Sequence, residues 1–190
     1  VSHLPVLDGE TYVGLLSDEI MYAHGSIHDS IGKLDIPREM TFVYEDVHMY
    51  DVIGVASSRL LSVVPVLNRK EVYQGAILLT DILHNIDKLL CIDDPGGIIV
   101  LEATIIDYSL AEVAQIVEYN EAKVLSCYVT CMPDSNKVEI TLKVNMARIE
   151  PILDTFIRYR YVIKNTFVSG EEMNEEMRDR YGQLLKFMEM

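Results

Sequence analysis

Hydroxyl and carboxyl side chains stand in pairs at two comparable places in the chain. Ser17 and Asp18 follow one Tyr-x-Gly segment, and Thr80 and Asp81 follow a second one. At both places the pattern predicts the end of an apolar strand and the start of a helix. Side chains of these types can accept hydrogen bonds from the free backbone amides of a first helical turn. Helix capping is therefore the first chemistry that the two pairs could provide.

Residue types needed for catalysis or metal binding are not grouped along the chain. The five histidines are dispersed, and no two of them have metal-ligand spacing on one helix face. The sequence contains no Gly-x-Ser-x-Gly elbow, no P-loop and no dinucleotide-binding fingerprint. We therefore expect that the protein is not an enzyme, that it holds no metal and that it needs no obligatory cofactor.

Charge and composition exclude two classes of partner. A formal net charge of -14 would repel a phosphate backbone, so we expect no binding to nucleic acid. The apolar runs are far shorter than the roughly 20 residues of a membrane span, so we expect no insertion in a membrane. Cys127 and Cys131 lie four apart in an alternating strand pattern, beyond disulfide reach. Together with Cys91 they indicate a reduced, cytoplasmic protein.

Part of the chain occurs twice. The segment that begins at Ser2 returns about 60 residues later at Ser62, with one extra residue in the second turn. The matched positions are Ser2, Pro5, Val6, Leu7, Tyr12 and Gly14 in the first copy and Ser62, Pro65, Val66, Leu67, Tyr73 and Gly75 in the second. Each copy predicts a strand, a polar turn, a second strand and a helix. Such a unit needs a partner to cover its apolar face.

The repeated pattern resembles the CBS domain, which works in tandem pairs. The resemblance implies a first repeat over residues 1–26, which lacks its opening strand and helix, and a complete second repeat over residues 27–92. It also implies that about 25 to 30 residues of the natural N-terminus precede Val1, from the repeat period. In the second repeat, Asp46 is predicted to cap a helix that turns Val47, Tyr50, Ile53 and Ala56 toward the core.

The same resemblance implies an adenine nucleotide in the cleft between the repeats. In CBS domains the backbone of the Pro-Val strand contacts the base, while a hydroxyl and an acid after the Tyr-x-Gly glycine hold the ribose and phosphate. Here the first copy has the hydroxyl at Ser17 but Ile20 in place of the acid, and the second has Leu78 in place of the hydroxyl but retains Asp81. The candidate ligand-binding residues are Ser17, Asp18, Thr41, Val64, Pro65, Thr80 and Asp81. Capping by Asp81, and a cleft that serves only dimerisation, remain alternatives.

The second half of the chain has a different pattern. After a turn-rich boundary at residues 93–97, six elements are predicted in the order strand, helix, strand, strand, helix, strand. Their predicted spans are 98–106, 110–121, 124–131, 138–145, 149–159 and 162–168. This order predicts the ferredoxin-like fold. The fold class of the whole chain is therefore α+β, or α/β in a broader sense.

Behind a CBS pair, the unit at residues 96–169 resembles an ACT-like domain, and the domain order resembles the bacterial acetoin-utilisation regulators. ACT domains that bind an amino acid usually have a glycine in the first turn, whereas the turn here is Asp107-Tyr108-Ser109-Leu110. Tyr108 favours packing over amino-acid binding. Residues 170–190 predict a helical tail with a methionine-rich stripe.

The sequence as a whole predicts a cytoplasmic regulatory protein that forms a homodimer. Its expected ligand is an adenine nucleotide, either AMP, ADP, ATP or a compound of the S-adenosylmethionine class. A first alternative is a non-catalytic scaffold that recruits an unidentified protein partner. A second alternative is amino-acid binding by the ACT-like domain.

Overall fold

The computed structural model describes residues 2–23, 30–39, 41–133 and 135–168. The fold is mixed α+β, and the chain divides into two compact units, residues 1–86 and 87–190. The predicted tail over 170–190 lies outside the described residues. Within the described ranges, no helix combines the length and apolar character needed to cross a membrane.

The first unit contains two hairpins of similar construction. Its elements are β1 (His3–Asp8), β2 (Thr11–Ser17), α1 (Asp18–Ala23), a single 3₁₀ turn (Ile31–Lys33), β3 (Val43–Tyr44), α2 (Met49–Arg59), β4 (Val63–Leu67), β5 (Tyr73–Leu78) and the start of α3 (Leu79–Leu90). Strand β1 pairs with β2, and β3, β4 and β5 form a three-stranded sheet in that order. Strand β3 is parallel to β4, whereas the two hairpins are antiparallel.

The sequence repeat is also a structural repeat. In the first hairpin Val6 pairs with Gly14, and the register then shifts so that Leu7 pairs with Tyr12. The second hairpin has the same pairs, Val66 with Gly75 and Leu67 with Tyr73, and the same shift. In addition, Thr11 and the equivalent Val72 form an antiparallel bridge with each other. Because equivalent residues pair, an approximate two-fold axis passes between the hairpins.

The predicted start of α2 is wrong. The helix begins at Met49, and His48 rather than Asp46 caps it, since His48 Nδ1 accepts from Tyr50 N at 3.2 Å and Asp51 Oδ2 accepts from His48 N at 3.1 Å. Asp46 instead accepts two hydrogen bonds from the Arg69 guanidinium, at 3.0 and 2.8 Å. Tyr50, predicted to face the core, is 72% exposed.

The second unit has the predicted ferredoxin-like topology. Its elements are β6 (Gly97–Thr104), α4 (Leu110–Tyr119), β7 (Val124–Cys131), β8 (Lys137–Val144), α5 (Glu150–Arg158) and β9 (Val162–Val168), and the predicted ends are confirmed to within two residues. The sheet order is β7-β8-β6-β9, with every neighbouring pair antiparallel. This is the order expected of the split βαβ arrangement.

One face of this sheet packs against both helices. The fully buried side chains include Ile99, Leu101, Ile140, Leu142, Val113, Ile152 and Phe156. Ser109 caps helix α4, and its Oγ accepts a hydrogen bond from Glu112 N at 3.4 Å. At the boundary before β6, a side chain on Gly96 would overlap the carbonyl of Val144, so the close approach of two strands requires glycine there.

Candidate ligand site at the junction of the repeats

Hydrogen bonds connect the starts of α1 and α3. Asp18 N donates to Ser2 O at 3.0 Å, and the equivalent Leu79 N donates to Ser62 O at 3.1 Å. Ser2 N in turn donates to Ser62 Oγ at 3.0 Å. We call these four residues the Ser2–Ser62 junction. The two predicted pairs, Ser17 with Asp18 and Thr80 with Asp81, are therefore connected through this path. Asp18 belongs to it, and Thr80 and Asp81 directly follow Leu79.

His3 completes the junction. Its Nδ1 accepts a hydrogen bond from Ser62 N at 3.3 Å and lies 3.1 Å from Ser62 Oγ. Because Nδ1 accepts an N–H, the ring proton of the neutral imidazole is placed on Nε2. Sequence reasoning missed His3, since the two residues are separated by 59 positions and His3 has no histidine counterpart in the second repeat.

The predicted polar residues at the helix starts all take part in capping, except Thr80, which is exposed. Ser17 Oγ accepts from Ile20 N at 3.2 Å, and Asp18 Oδ1 accepts from Glu19 N at 2.9 Å. Asp81 Oδ2 accepts from Leu78 N at 3.0 Å. This bond uses one oxygen of an exposed carboxylate, so Asp81 retains the capacity to accept further hydrogen bonds.

Thr41 lies in a different network. Its buried hydroxyl donates to Arg38 O at 2.7 Å and lies 2.8 Å from the hydroxyl of Tyr12, which belongs to the first repeat. Burial raises the pKa of Tyr12, while the bond with Thr41 opposes that rise. Tyr12 and Ser17 lie at opposite ends of β2, roughly 16 Å apart at the rise of a strand. Thr41 thus joins the repeats at the end remote from the junction.

Val64 and Pro65 lie in the centre of the second repeat. Both are buried in β4, between β3 and β5, and they pair with Ile77 and Ala76. Leu79 follows β5 directly and bonds to Ser62, the residue before β4. The strand that was predicted to contact a base is therefore tied to the junction at its first residues.

Three acids, Asp18, Glu19 and Asp81, lie in the first turns of α1 and α3. Arg38 and Arg69 of the same unit are each paired with an acid elsewhere. Arg38 pairs with Glu71 at 2.6 Å. The Arg69 guanidinium donates two hydrogen bonds to Asp46 Oδ2 and lowers the pKa of Asp46. A ligand at the junction thus meets hydrogen-bond acceptors, which suit hydroxyl groups or a cation better than an anion.

An apolar groove lies between α2 and α3. It has a volume of about 340 Å³. Its lining consists of Ile53, Ala56, Ser57, Leu60, Leu61, Ser62, Leu79, Ile82, Leu83 and Ile86. Leu60 and Leu83 are 87% and 58% exposed. This composition fits the apolar surface of another protein rather than a polar small molecule.

In the second unit, the first turn is filled by tyrosine. Tyr108 packs against the core, and burial raises its pKa. Tyr161 is almost fully buried, and its ring meets that of Phe156 edge to face with the centroids 5.5 Å apart. Burial, with a contribution from the nearby Glu112 carboxylate, raises the pKa of Tyr161 to about 12. Its hydroxyl has no hydrogen-bond partner among the described residues.

We expect the stability of the second unit to fall at high pH. An unfolded tyrosine titrates near pH 10, whereas folded Tyr161 titrates near 12. The proton is held more tightly in the folded state, so this contribution is complete below about pH 10 and is lost as the pH rises from 10 toward 12. A spectrophotometric titration should show a late phase among the eleven tyrosines, to which Tyr12, Tyr108 and Tyr161 contribute because the pKa of each is raised. The Tyr161→Phe variant should lose one tyrosine from that late phase, and a titration identical to that of the unmodified protein would contradict the assignment.

Among the described residues, no group of three or more histidine, cysteine, aspartate or glutamate side chains is placed to hold a metal ion.

The sequence matches no model of a known protein family and no curated protein.

Several solved structures are similar over about half of this chain. A CBS domain pair/ACT domain protein from Thermotoga maritima shares 20% identity over 45% of this chain and 69% of its own length, with a TM-score of 0.39. A CBS domain protein from Streptococcus pneumoniae shares 21% identity over 47% and 66%, with a TM-score of 0.37. OpuCA from Staphylococcus aureus shares 20% over 45% and 73%, again with a TM-score of 0.37. At these identities and TM-scores the similarities carry no argument about function.

Proposed function

We propose that this chain is a non-catalytic regulatory protein whose two CBS-like repeats bind an adenine-containing ligand at the Ser2–Ser62 junction. The observation that carries the proposal is the hydrogen-bonded path that joins the start of α1 to the start of α3. The two hairpins have the same register, so the helices that follow them begin at equivalent positions. The hydrogen-bonded path connects these two helix starts at one end of the unit. A ligand held there contacts both repeats, so binding can change their arrangement.

Asp81 is the proposed ribose acceptor. Its exposed carboxylate lies in the first turn of α3 and has acceptor capacity beyond its bond to Leu78 N. The backbone of Val64 and Pro65 is the proposed contact for the base, with Thr80 and Ser17 as hydroxyl donors and Asp18 as a second acid. Thr41 contributes indirectly, because its bond to Tyr12 holds the repeats together.

The charges of the junction favour particular adenine compounds. A phosphate 4 Å from one carboxylate is repelled by about 4 kcal/mol at an effective dielectric constant of 20. The three acids at the helix starts therefore disfavour a triphosphate. We propose that adenosine, AMP and the cationic S-adenosylmethionine bind more tightly than ATP.

Replacing Asp81 with alanine is expected to weaken binding of the adenine compound by about 10- to 150-fold. This is the range that corresponds to losing a hydrogen bond to a charged group, about 1.5 to 3 kcal/mol. Isothermal titration calorimetry with adenosine, AMP, S-adenosylmethionine and ATP measures the change. Asp87→Ala is the matched control, because Asp87 lies later on the same helix and accepts a hydrogen bond from Ile92 N through its backbone carbonyl, which the substitution retains.

Two outcomes would count against the ligand site. One is the absence of both heat and melting shift with all four compounds at millimolar concentration. The other is equal binding by the Asp81→Ala and Asp87→Ala variants, provided that both melt at the same temperature as the unmodified protein.

A scaffold without a ligand is the second candidate function. It is favoured by the capping bonds, since Ser17, Asp18 and Asp81 all use their side chains on their own helices.

The groove between α2 and α3 supplies the surface for assembly, whether or not the junction binds a ligand. We propose that two copies meet there across a two-fold axis, so that the groove of each copy receives Leu60 and Leu83 of the other.

A further inference from the structure

We propose that His3 makes the Ser2–Ser62 junction sensitive to pH, because the neutral imidazole holds the amide of Ser62 and the protonated imidazole releases it. The bonds that carry this inference lie within the first unit and do not involve a ligand. Only the last step, an effect on ligand affinity, rests on the proposed function.

The backbone and the side chain of Ser62 both take part in the junction. Its carbonyl accepts from Leu79 N at 3.1 Å, and its Oγ accepts from Ser2 N at 3.0 Å. Its amide donates to His3 Nδ1 at 3.3 Å, and the same ring nitrogen lies 3.1 Å from Ser62 Oγ. The position of Ser62 therefore depends on His3 as well as on Ser2 and Leu79.

The approximate two-fold symmetry of the repeats is broken at His3. Ser2 and Ser62 are equivalent, so the counterpart of the bond from Ser2 N to Ser62 Oγ would join Ser62 N to Ser2 Oγ. Ser62 N donates to His3 Nδ1 instead. The position equivalent to His3 is Val63, which is buried and cannot titrate. The titratable acceptor is therefore contributed by the first repeat.

Protonation reverses the role of His3 Nδ1. In the neutral ring this nitrogen has a lone pair that accepts the amide of Ser62, whereas both nitrogens of an imidazolium are donors. A protonated Nδ1 can donate to Ser62 Oγ but cannot accept from Ser62 N. The half-buried amide then loses its acceptor, which is unfavourable for a backbone donor. Because only the neutral ring accepts, this bond is present at high pH and is lost as the pH falls.

The charged groups of the surrounding elements are known. Strands β2 and β4 contribute no charged side chain, and β1 contributes Asp8 at its far end. The helices contribute Asp18 and Glu19 on α1, Arg59 at the end of α2, and Asp81 and His84 on α3. Carboxylates and guanidinium groups ordinarily keep their charge between about pH 5.5 and about pH 8, whereas histidine ordinarily gains a proton near about pH 6.5. A change at Ser62 in this range is therefore assigned to His3, and His84 is the group to test against it.

The test follows amide and imidazole resonances of the full chain, without ligand, from about pH 8 to about pH 5.5. We expect the Ser62 amide to shift with the same midpoint as the His3 ring. Its protection against hydrogen exchange, corrected for the intrinsic rate at each pH, should fall at least about tenfold.

Two variants separate His3 from the other histidine. In His3→Asn the side-chain oxygen replaces Nδ1 as the acceptor and does not titrate, so the Ser62 amide should stay constant with pH. His84→Asn is the matched control, because His84 is exposed on α3, and it should retain the Ser62 titration.

The proposal is overturned if the Ser62 amide does not shift while the His3 ring titrates, if His3→Asn retains the shift, or if His84→Asn abolishes it. If a variant does not fold, the unmodified protein decides the question. Coinciding midpoints for His3 and Ser62 then support the proposal, and different midpoints overturn it.

Adenosine is the probe for the effect on ligand affinity, since it carries no charge at these pH values. At about one pH unit below 6.5, roughly a tenth of ordinary histidine rings remain neutral, so binding that requires the neutral ring should be about tenfold weaker. Calorimetry should show this loss in the unmodified protein and equal affinity at both pH values in His3→Asn. Equal affinity in the unmodified protein would overturn this last step. Absence of binding at either pH would refute the adenine site itself, whereas the Ser62 titration is measured without ligand.

Discussion

Replacing Leu83 with aspartate is expected to convert the proposed dimer to a monomer at micromolar concentration. Leu83 is 58% exposed on the wall of the α2–α3 groove. Burying a leucine side chain contributes about 1.5 to 3 kcal/mol to the free energy of association. In a two-fold dimer both copies carry the substitution, so this contribution is lost twice. The dissociation constant should therefore rise by at least about 100-fold.

Light scattering at several concentrations measures this change. The matched control is Leu89→Asp, because Leu89 is similarly exposed at 55% on α3 but does not line the groove. We expect the control to remain dimeric. A monomeric mass for the unmodified protein at micromolar concentration, or a dimeric Leu83→Asp variant, would refute the proposed interface.

The largest loss of stability is expected from replacing Phe156 with alanine. Phe156 is fully buried between α5 and the sheet, within the core that contains Ile152 and Leu101. Truncating a buried phenylalanine costs about 3 to 5 kcal/mol, since transfer energy is lost and a cavity remains. The edge-to-face contact with Tyr161 would be lost as well.

Amide hydrogen exchange resolves this effect by unit. We expect faster exchange throughout β6 and β8 and little change in β4, because the two units have separate cores. Phe167→Ala is the control, since Phe167 is 57% exposed on β9. A Phe156 variant with exchange as slow as that of the Phe167 variant would show that this core tolerates the cavity.

The fold of the second unit could be read from the sequence because its signals are local. Along β8, Val138, Ile140, Leu142 and Val144 alternate with polar residues, and all four are buried, as this alternation indicates. The repeat in the first unit was equally readable, because equivalent residues at a constant offset produce equivalent hairpins.

Contacts between distant residues could not be predicted. Asp46 is a residue type that commonly caps helices, but its carboxylate binds Arg69, whose guanidinium carbon lies 4.6 Å from the centre of the Tyr44 ring. His48 caps the helix instead. The contact of His3 with Ser62 spans 59 positions and leaves no periodic trace in the sequence. The polar side chains of the candidate site were found, but their connection through the Ser2–Ser62 junction required the structure.

The extra residue in the second hairpin turn offers a place for a spectroscopic reporter. The turn accommodates this residue, and the strand register stays the same as in the first hairpin. Asn68 Oδ1 accepts hydrogen bonds from Lys70 N and Val72 N at 2.9 and 3.0 Å, and Glu71 adopts a left-handed conformation. Lys70 itself is exposed. The chain contains no tryptophan, so Lys70→Trp would introduce a single indole next to β5. The fluorescence of that indole can be followed without a contribution from any other tryptophan.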